Sequence, residues 1–143
     1  MGWPIRPPLS FIKEIKDINL AKKQSTKARA FALAATGVAS DRHCSEIVVL
    51  DLRGKSPATD YFVIATGTSG RQMRTVADEI SEEARKQGFQ RFGRAGYEQG
   101  RWILLDFIDV VIHIFDSEYR DYYDLELLWG DAKRLKWERA SKR

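Results

Sequence analysis

Apolar positions along the chain follow two spacings, and the change from one to the other marks out the elements. Residues 1–24 follow neither for long. Pro4, Pro7 and Pro8 block an early helix, and only Phe11, Ile12, Ile15 and Ile18 keep helical spacing, so the stretch reads as a weakly ordered leader. Ser25 is placed to cap a helix running to about Asp41, with Phe31, Ala34, Ala35 and Val38 on one stripe and Gly37 weakening it. Ile47 to Leu50 is a β-branched run that predicts a buried strand. A turn over Arg53–Pro57 leads to a second strand, Tyr61–Thr66. Gly67-Thr68-Ser69-Gly70 breaks that strand, and Ser69 can cap a helix over about Arg71–Gln87. Met73, Val76, Ala77 and Ile80 would face inward, and Gly88 would stop the helix. Phe89–Ala95 reads as a weak edge strand and Glu98-Gln99-Gly100 as a hairpin turn. Trp102–Phe107 and Val110–Phe115 follow, joined tightly through Ile108-Asp109. Ser117 then caps a final helix to about Ala132, with Glu118 near its positive end.

The order is α-β-β-α-β-β-β-α. It predicts a single α+β domain over residues 25–132, a five-stranded mixed β-sheet with α-helices mainly on one face. Residues 133–143 read as a basic tail. The other sheet face then needs an explanation. Alternation places Trp102, Leu104 and Asp106 on one side of their strand, and Val111, His113 and Phe115 on one side of the next. A surface mixing Trp, His and a carboxylate with aliphatics has the makeup of a protein interface, although a solvated sheet face would also accommodate it. The last helix adds Tyr122, Tyr123 and Trp129, more aromatics than one buried stripe of a short helix holds.

Composition narrows the classes. The 143 residues are 43% hydrophobic and 31% charged, enough for one core. A single cysteine, Cys44, excludes an internal disulfide and a cysteine-based zinc site, and a reducing, cytoplasmic setting is the simpler expectation. No apolar run approaches the roughly 20 residues of a membrane span. The basic first forty residues leave organelle targeting open, but Glu14 and Asp17 count against it. Charge is segregated. Residues 1–45 carry eight Lys and Arg against three acids, residues 46–130 carry ten against fifteen, and residues 131–143 carry six against two. The acidic middle suits a basic protein partner better than a phosphate backbone, while the basic ends could touch nearby RNA or stay solvated.

Catalytic constellations are weak. Asp106 and Asp109 could pair for two-metal chemistry beside the Gly67-Thr68-Ser69 turn, as in a nucleotidyltransferase, but three residues apart on a strand they face opposite sides. The Gly67–Gly70 turn lacks the Gly-Lys-Ser/Thr ending of a P-loop and reads as a strand-to-helix cap. His43 and Cys44 have no orienting third group. The expectation is a protein without catalytic residues, metal or cofactor.

Several runs, taken together, resemble the ribosomal silencing factor (Iojap-like) family: Ile47-Val48-Val49-Leu50-Asp51-Leu52, Asp60–Ser69, Arg71-Gln72, Ala77-Asp78, Trp102–Asp106, Asp109–Phe115 and Arg120–Trp129. The resemblance covers about residues 28–132 and is specific in order, spacing and residue type. The family usually has Gly where this chain has Ile108. The resemblance implies a nucleotidyltransferase-like topology without the catalytic acids. It implies binding to the large ribosomal subunit through ribosomal protein fourteen, steric block of small-subunit joining, and repression of translation. Contacts through the open sheet face and last helix would fall on Trp102, Leu104, Asp106, His113, Arg120 and Tyr123. A role in large-subunit assembly, a nucleotidyltransferase-like enzyme, and self-association as a homodimer when free remain as alternatives or additions.

Overall fold

A computed structural model describes residues 26–137; the leader, Ser25 and the end of the basic tail lie outside them. Helix α1 covers 26–41. After it come β1 (Ser45–Asp51), β2 (Tyr61–Thr66), α2 (Gly70–Lys86), β3 (Gly93–Ala95), β4 (Trp102–Asp106), β5 (Val110–Phe115), α3 (Ser117–Tyr122), α4 (Leu125–Leu128) and β6 (Lys133–Arg134). The strands form one mixed sheet in the order β3-β4-β5-β2-β1-β6. Among the described strands only β2 and β5 run parallel, at the centre, and the chain between them returns through α2 and the β3–β4 hairpin. The α+β class and mixed sheet expected from the sequence are present, with six strands in place of five.

The sixth strand comes from the segment read as basic tail. Lys133 and Arg134 pair with Asp51 and Leu50. Beyond them, the Leu135 amide donates to the Val49 carbonyl at 2.9 Å, and the Trp137 Nε1 donates to the Ile47 carbonyl at 3.0 Å. Leu135 and Trp137 are the apolar members of that charged run, and both pack on the main core.

Ser69 caps α2 as expected, its Oγ accepting from the Gln72 amide at 3.1 Å, and Gly88 takes φ 85° just past the end. The inward residues Met73, Val76, Ala77 and Ile80 are all buried. On α1 the buried stripe is Ala28, Phe31, Ala32, Ala35 and Ala39, while Ala34 and Val38 sit at its half-buried margin. Alanines let α1 approach the sheet closely. The phenyl of Phe31 fills the remaining space against Phe89 and Phe107, at 5.0 and 5.1 Å between ring centres. Phe89 is thus a core residue, and the weak edge strand shrinks to Gly93–Ala95.

The final helix is the largest correction. Asp116, not Ser117, caps α3, its Oδ1 accepting from the Tyr119 amide at 2.8 Å. The helix ends at Tyr122. Asp124 caps a separate turn, α4, by accepting from the Leu127 amide at 3.1 Å. An aspartate side chain that bonds a nearby amide competes with helix continuation, which splits the predicted single helix in two.

The sheet carries a core on each face. Val49, Tyr61, Val63, Ala65, Ile103, Leu105, Val110, Ile112 and Ile114 pack beneath α1 and α2. On the second face Leu50, Leu52, Ile64, Phe115 and Ala132 form a smaller cluster, joined by Val48, Phe62, Trp102, Tyr119, Leu125 and Trp129. The long helices cover one face, as expected, and the short α3–α4 hairpin lies over part of the other.

Candidate functional site

Register assembles the second face. Trp102 pairs with Phe115, Leu104 with His113 and Asp106 with Val111; on the other side of β5, His113 pairs with Ile64 and Val111 with Phe62. Since partners in register share a face, one row of side chains crosses three strands. Trp102 is its hub. Its ring stacks on Phe115 at 4.9 Å and meets Tyr123 at 4.8 Å, and its Nε1 donates to His113 Nδ1 at 3.2 Å. His113 also meets the Phe62 ring edge-on at 4.6 Å, and Phe62 in turn reaches Trp129 at 6.2 Å. Aromatic pairs at such spacings each add about 0.5–1.5 kcal/mol beyond area burial, so the row is a rigid platform.

His113 is only 3% exposed, and burial lowers its pKa to about 4. The ring is therefore neutral at pH 7. Because Nδ1 accepts from Trp102, the proton sits on Nε2, which is buried and without a partner among the described residues. His113 fixes the indole rather than facing outward.

Arg120 is also inside. Its side chain is 7% exposed, Nη1 donates to Thr66 Oγ1 at 2.9 Å, and Nη2 donates to Glu126 Oε1 at 2.8 Å. The other oxygen of Glu126 takes Arg134 at 2.9 Å. One arginine thus ties α3 to β2 and α4, and its carboxylate partner ties α4 to β6. Asp106 lies on the same sheet face further along β4, and its Oδ1 accepts from the Ile108 amide at 2.8 Å. Ile108 itself has φ 70°, a left-handed turn residue.

Of the six residues singled out from the sequence, the structure brings Trp102, His113 and Tyr123 into contact and sets Leu104 beside them. Asp106 is on the same face at the far end of the strand, and Arg120 is buried beneath α3. Tyr123 is 40% exposed, and Tyr122 and Leu127 are both 79% exposed. Tyr122 meets Tyr123 edge-on at 4.7 Å. Tyr122 and Tyr123 form an apolar, hydroxyl-bearing crest beside Trp102, and Leu127 is a further exposed apolar residue on α4. Leu127 and Phe62 were missed. Leu127 falls within the one long helix expected from the sequence, and Phe62 lies in a second strand whose two faces were not told apart. Alternation of Phe62, Ile64 and Thr66 against Tyr61, Val63 and Ala65 could have revealed Phe62.

Other candidates are occupied by the chain itself. The Gly67–Gly70 turn borders a cavity of about 300 Å³ lined by Arg42, His43, Ser69, Arg71, Gln72 and Thr75. Gln72 fills the turn from within, its Oε1 accepting from the Thr68 amide and its Nε2 donating to the Arg42 carbonyl. Burial raises the Cys44 thiol pKa, which keeps it protonated. Among the described residues no group of three or more His, Cys, Asp or Glu could hold a metal ion, and no helix is long and apolar enough to cross a membrane.

Comparison with known proteins agrees with this architecture. The profile of the family described as "RsfS: Ribosomal silencing factor during starvation" matches residues 24–143. The ribosomal silencing factor RsfS of Halalkalibacterium halodurans is 39% identical over 104 residues, 73% of this chain and 89% of its own length. That of Bacillus subtilis is 41% identical over 98 residues, 68% of this chain and 83% of its own. The crystal structure of protein CV0518 from Chromobacterium violaceum superposes with a TM-score of 0.68 at 31% identity, covering 80% of this chain and 92% of that one. The match takes in the segments that build both sheet faces, and on it the chain belongs to the ribosomal silencing factor family.

Proposed function

We propose that the chain binds the large ribosomal subunit through ribosomal protein fourteen and blocks joining of the small subunit by occupying its place. One observation carries this reading: a braced aromatic platform on the second sheet face is edged by Tyr122 and Tyr123, which the domain leaves exposed together with Leu127 of α4. A rigid aromatic centre with an amphipathic rim is what a protein-binding hot spot requires. Trp102, Leu104 and Tyr123 serve as anchors, and Asp106 meets a Lys or Arg of the partner. The buried His113 and Arg120 act by positioning, one holding the Trp102 indole and the other the α3–α4 hairpin. The acidic middle of the chain favours a basic ribosomal protein as partner, and the basic charge toward either end favours contact with nearby ribosomal RNA.

Sedimentation of purified large and small subunits, at magnesium that permits joining, tests the reading. The protein is expected to travel with the large subunit while the joined-ribosome peak falls. Trp102→Ala should weaken that binding by about 2 kcal/mol or more. Subunits that join as before, with the protein left at the top of the gradient, would refute occlusion. Preference for precursor particles over mature subunits would instead favour a role in large-subunit assembly.

A further inference from the structure

Ile108 connects β4 to β5 with φ 70° and leaves its side chain 52% exposed. In that region of backbone space Cβ crowds the following carbonyl, and a β-branched side chain fits worst. Nothing among the described residues requires an isoleucine there. The turn is held by the Ile108 amide, which donates to Asp106 Oδ1, and by the Asp109 amide, which donates to the Phe107 carbonyl at 2.9 Å. At position 108 only backbone takes part, and glycine would make the same bond without the steric cost. Half the side chain faces water, so core packing does not account for it. Strain retained at a surface position points to use of the side chain.

A second observation lies beside it. Phe92, 74% exposed, has its amide on the Asp106 carbonyl at 2.7 Å. Two exposed large apolar residues are thus tied to Asp106, Phe92 through its backbone carbonyl and Ile108 through its carboxylate, and Asp106 shares a sheet face with Leu104 and Trp102. The strand runs about 13 Å from Trp102 to Asp106 at roughly 3.3 Å per residue, and Ile108 lies in the turn just beyond it. A standard interface covers about 800 Å² per partner, roughly 30 Å across. A footprint centred on Leu104 therefore reaches both the Tyr123 crest and the Ile108 turn.

We propose that Ile108, with Phe92, is a second anchor of the docking face and contacts the same basic, partly apolar protein surface of the large subunit as the Trp102 end. This rests on the functional reading above. The strained turn is retained because it holds the Ile108 side chain out toward that partner, with Asp106 beside it for a cation.

The test compares wild type, Ile108→Gly and Ile108→Ala for melting temperature and for affinity to purified bacterial large ribosomal subunits in a sedimentation titration. Ile108→Gly relieves the backbone and is expected to melt about 3–6 °C higher, yet to bind about tenfold more weakly. Ile108→Ala keeps a Cβ at positive φ, so it should gain little stability while losing a similar factor in affinity. Stability and binding moving in opposite directions is a signature that a purely structural residue does not give. Wild-type affinity in Ile108→Ala overturns the inference, and so does an Ile108→Gly protein that gains no stability. If wild type itself fails to bind, the functional reading falls and takes this inference with it. If wild type binds and both variants match it, this inference alone falls.

Discussion

At the scale of single residues, the Trp102–His113 pair sets both the shape and the acid tolerance of the second sheet face. The indole donates, so His113 must accept at Nδ1 and remain neutral. Its pKa in the fold is about 4, against 6.5 for an ordinary imidazole. As pH falls, the unfolded chain takes up this proton first. The contribution to stability is whole above pH 6.5 and drains away as pH falls toward 4, by at most about 3 kcal/mol. The urea midpoint should therefore drop between pH 7 and pH 4.5, and His113→Gln, which still offers an acceptor, should flatten that slope. An unchanged slope in the variant would assign the acid sensitivity elsewhere. Trp102, His113 and Tyr123 could be singled out from the sequence because strand alternation and aromatic content are local. That His113 would lie beneath the indole could not, since alternation gives a face and not a depth.

At the scale of elements, the α3–α4 hairpin depends on a buried arginine. Arg120 spans from Thr66 of β2 to Glu126 of α4, and Glu126 reaches Arg134 of β6. Removing one partner of a buried ion pair leaves the other charge uncompensated, and the loss is typically about 3–5 kcal/mol. Glu126 keeps Arg134 and some access to water, so the lower end applies here. Arg120→Ala should destabilise the domain by about 3 kcal/mol in chemical denaturation and should speed amide exchange across 117–128 before it affects the β2–β5 centre. Exchange that accelerates uniformly would mean the hairpin is not a separate unit. The sequence showed β1, β2, β4, β5 and α2 because their periods run unbroken between clear breaks. It hid the hairpin because Asp116 and Ser117 both suit a cap, and only the geometry of the Tyr119 amide chooses between them. Asp124 reads equally well as a polar residue in mid-helix or as a second cap.

At the scale of the whole molecule, the sheet is closed by residues that look like tail. A run with Lys133, Arg134 and Lys136 reads as solvated charge, yet Leu135 and Trp137 reach back across β1. Two apolar residues in a basic segment are too few for a periodic signal, and pairing with a strand some eighty residues earlier leaves no local mark. Ending the chain at Ala132 removes two ladder residues, the Leu135 amide bond and most of the Trp137 burial. It should lower stability by about 2–4 kcal/mol, measured as a fall in melting temperature with the sheet's far-ultraviolet signal kept in the cold. A truncated protein as stable as the full chain would show that β6 is ornamental. The position of β6 also has a consequence in time. Asp51 and Leu50 are made 82 and 84 residues before their partners Lys133 and Arg134. At roughly 5–20 residues per second, the outer edge of β1, with Val48 and Leu50 on it, stands unpaired for about 4–17 s of every round of synthesis. For that interval the newborn chain carries an open strand edge of the kind that joins to its neighbours, so its yield in a crowded cell depends on how fast it is made as well as on how stable it becomes.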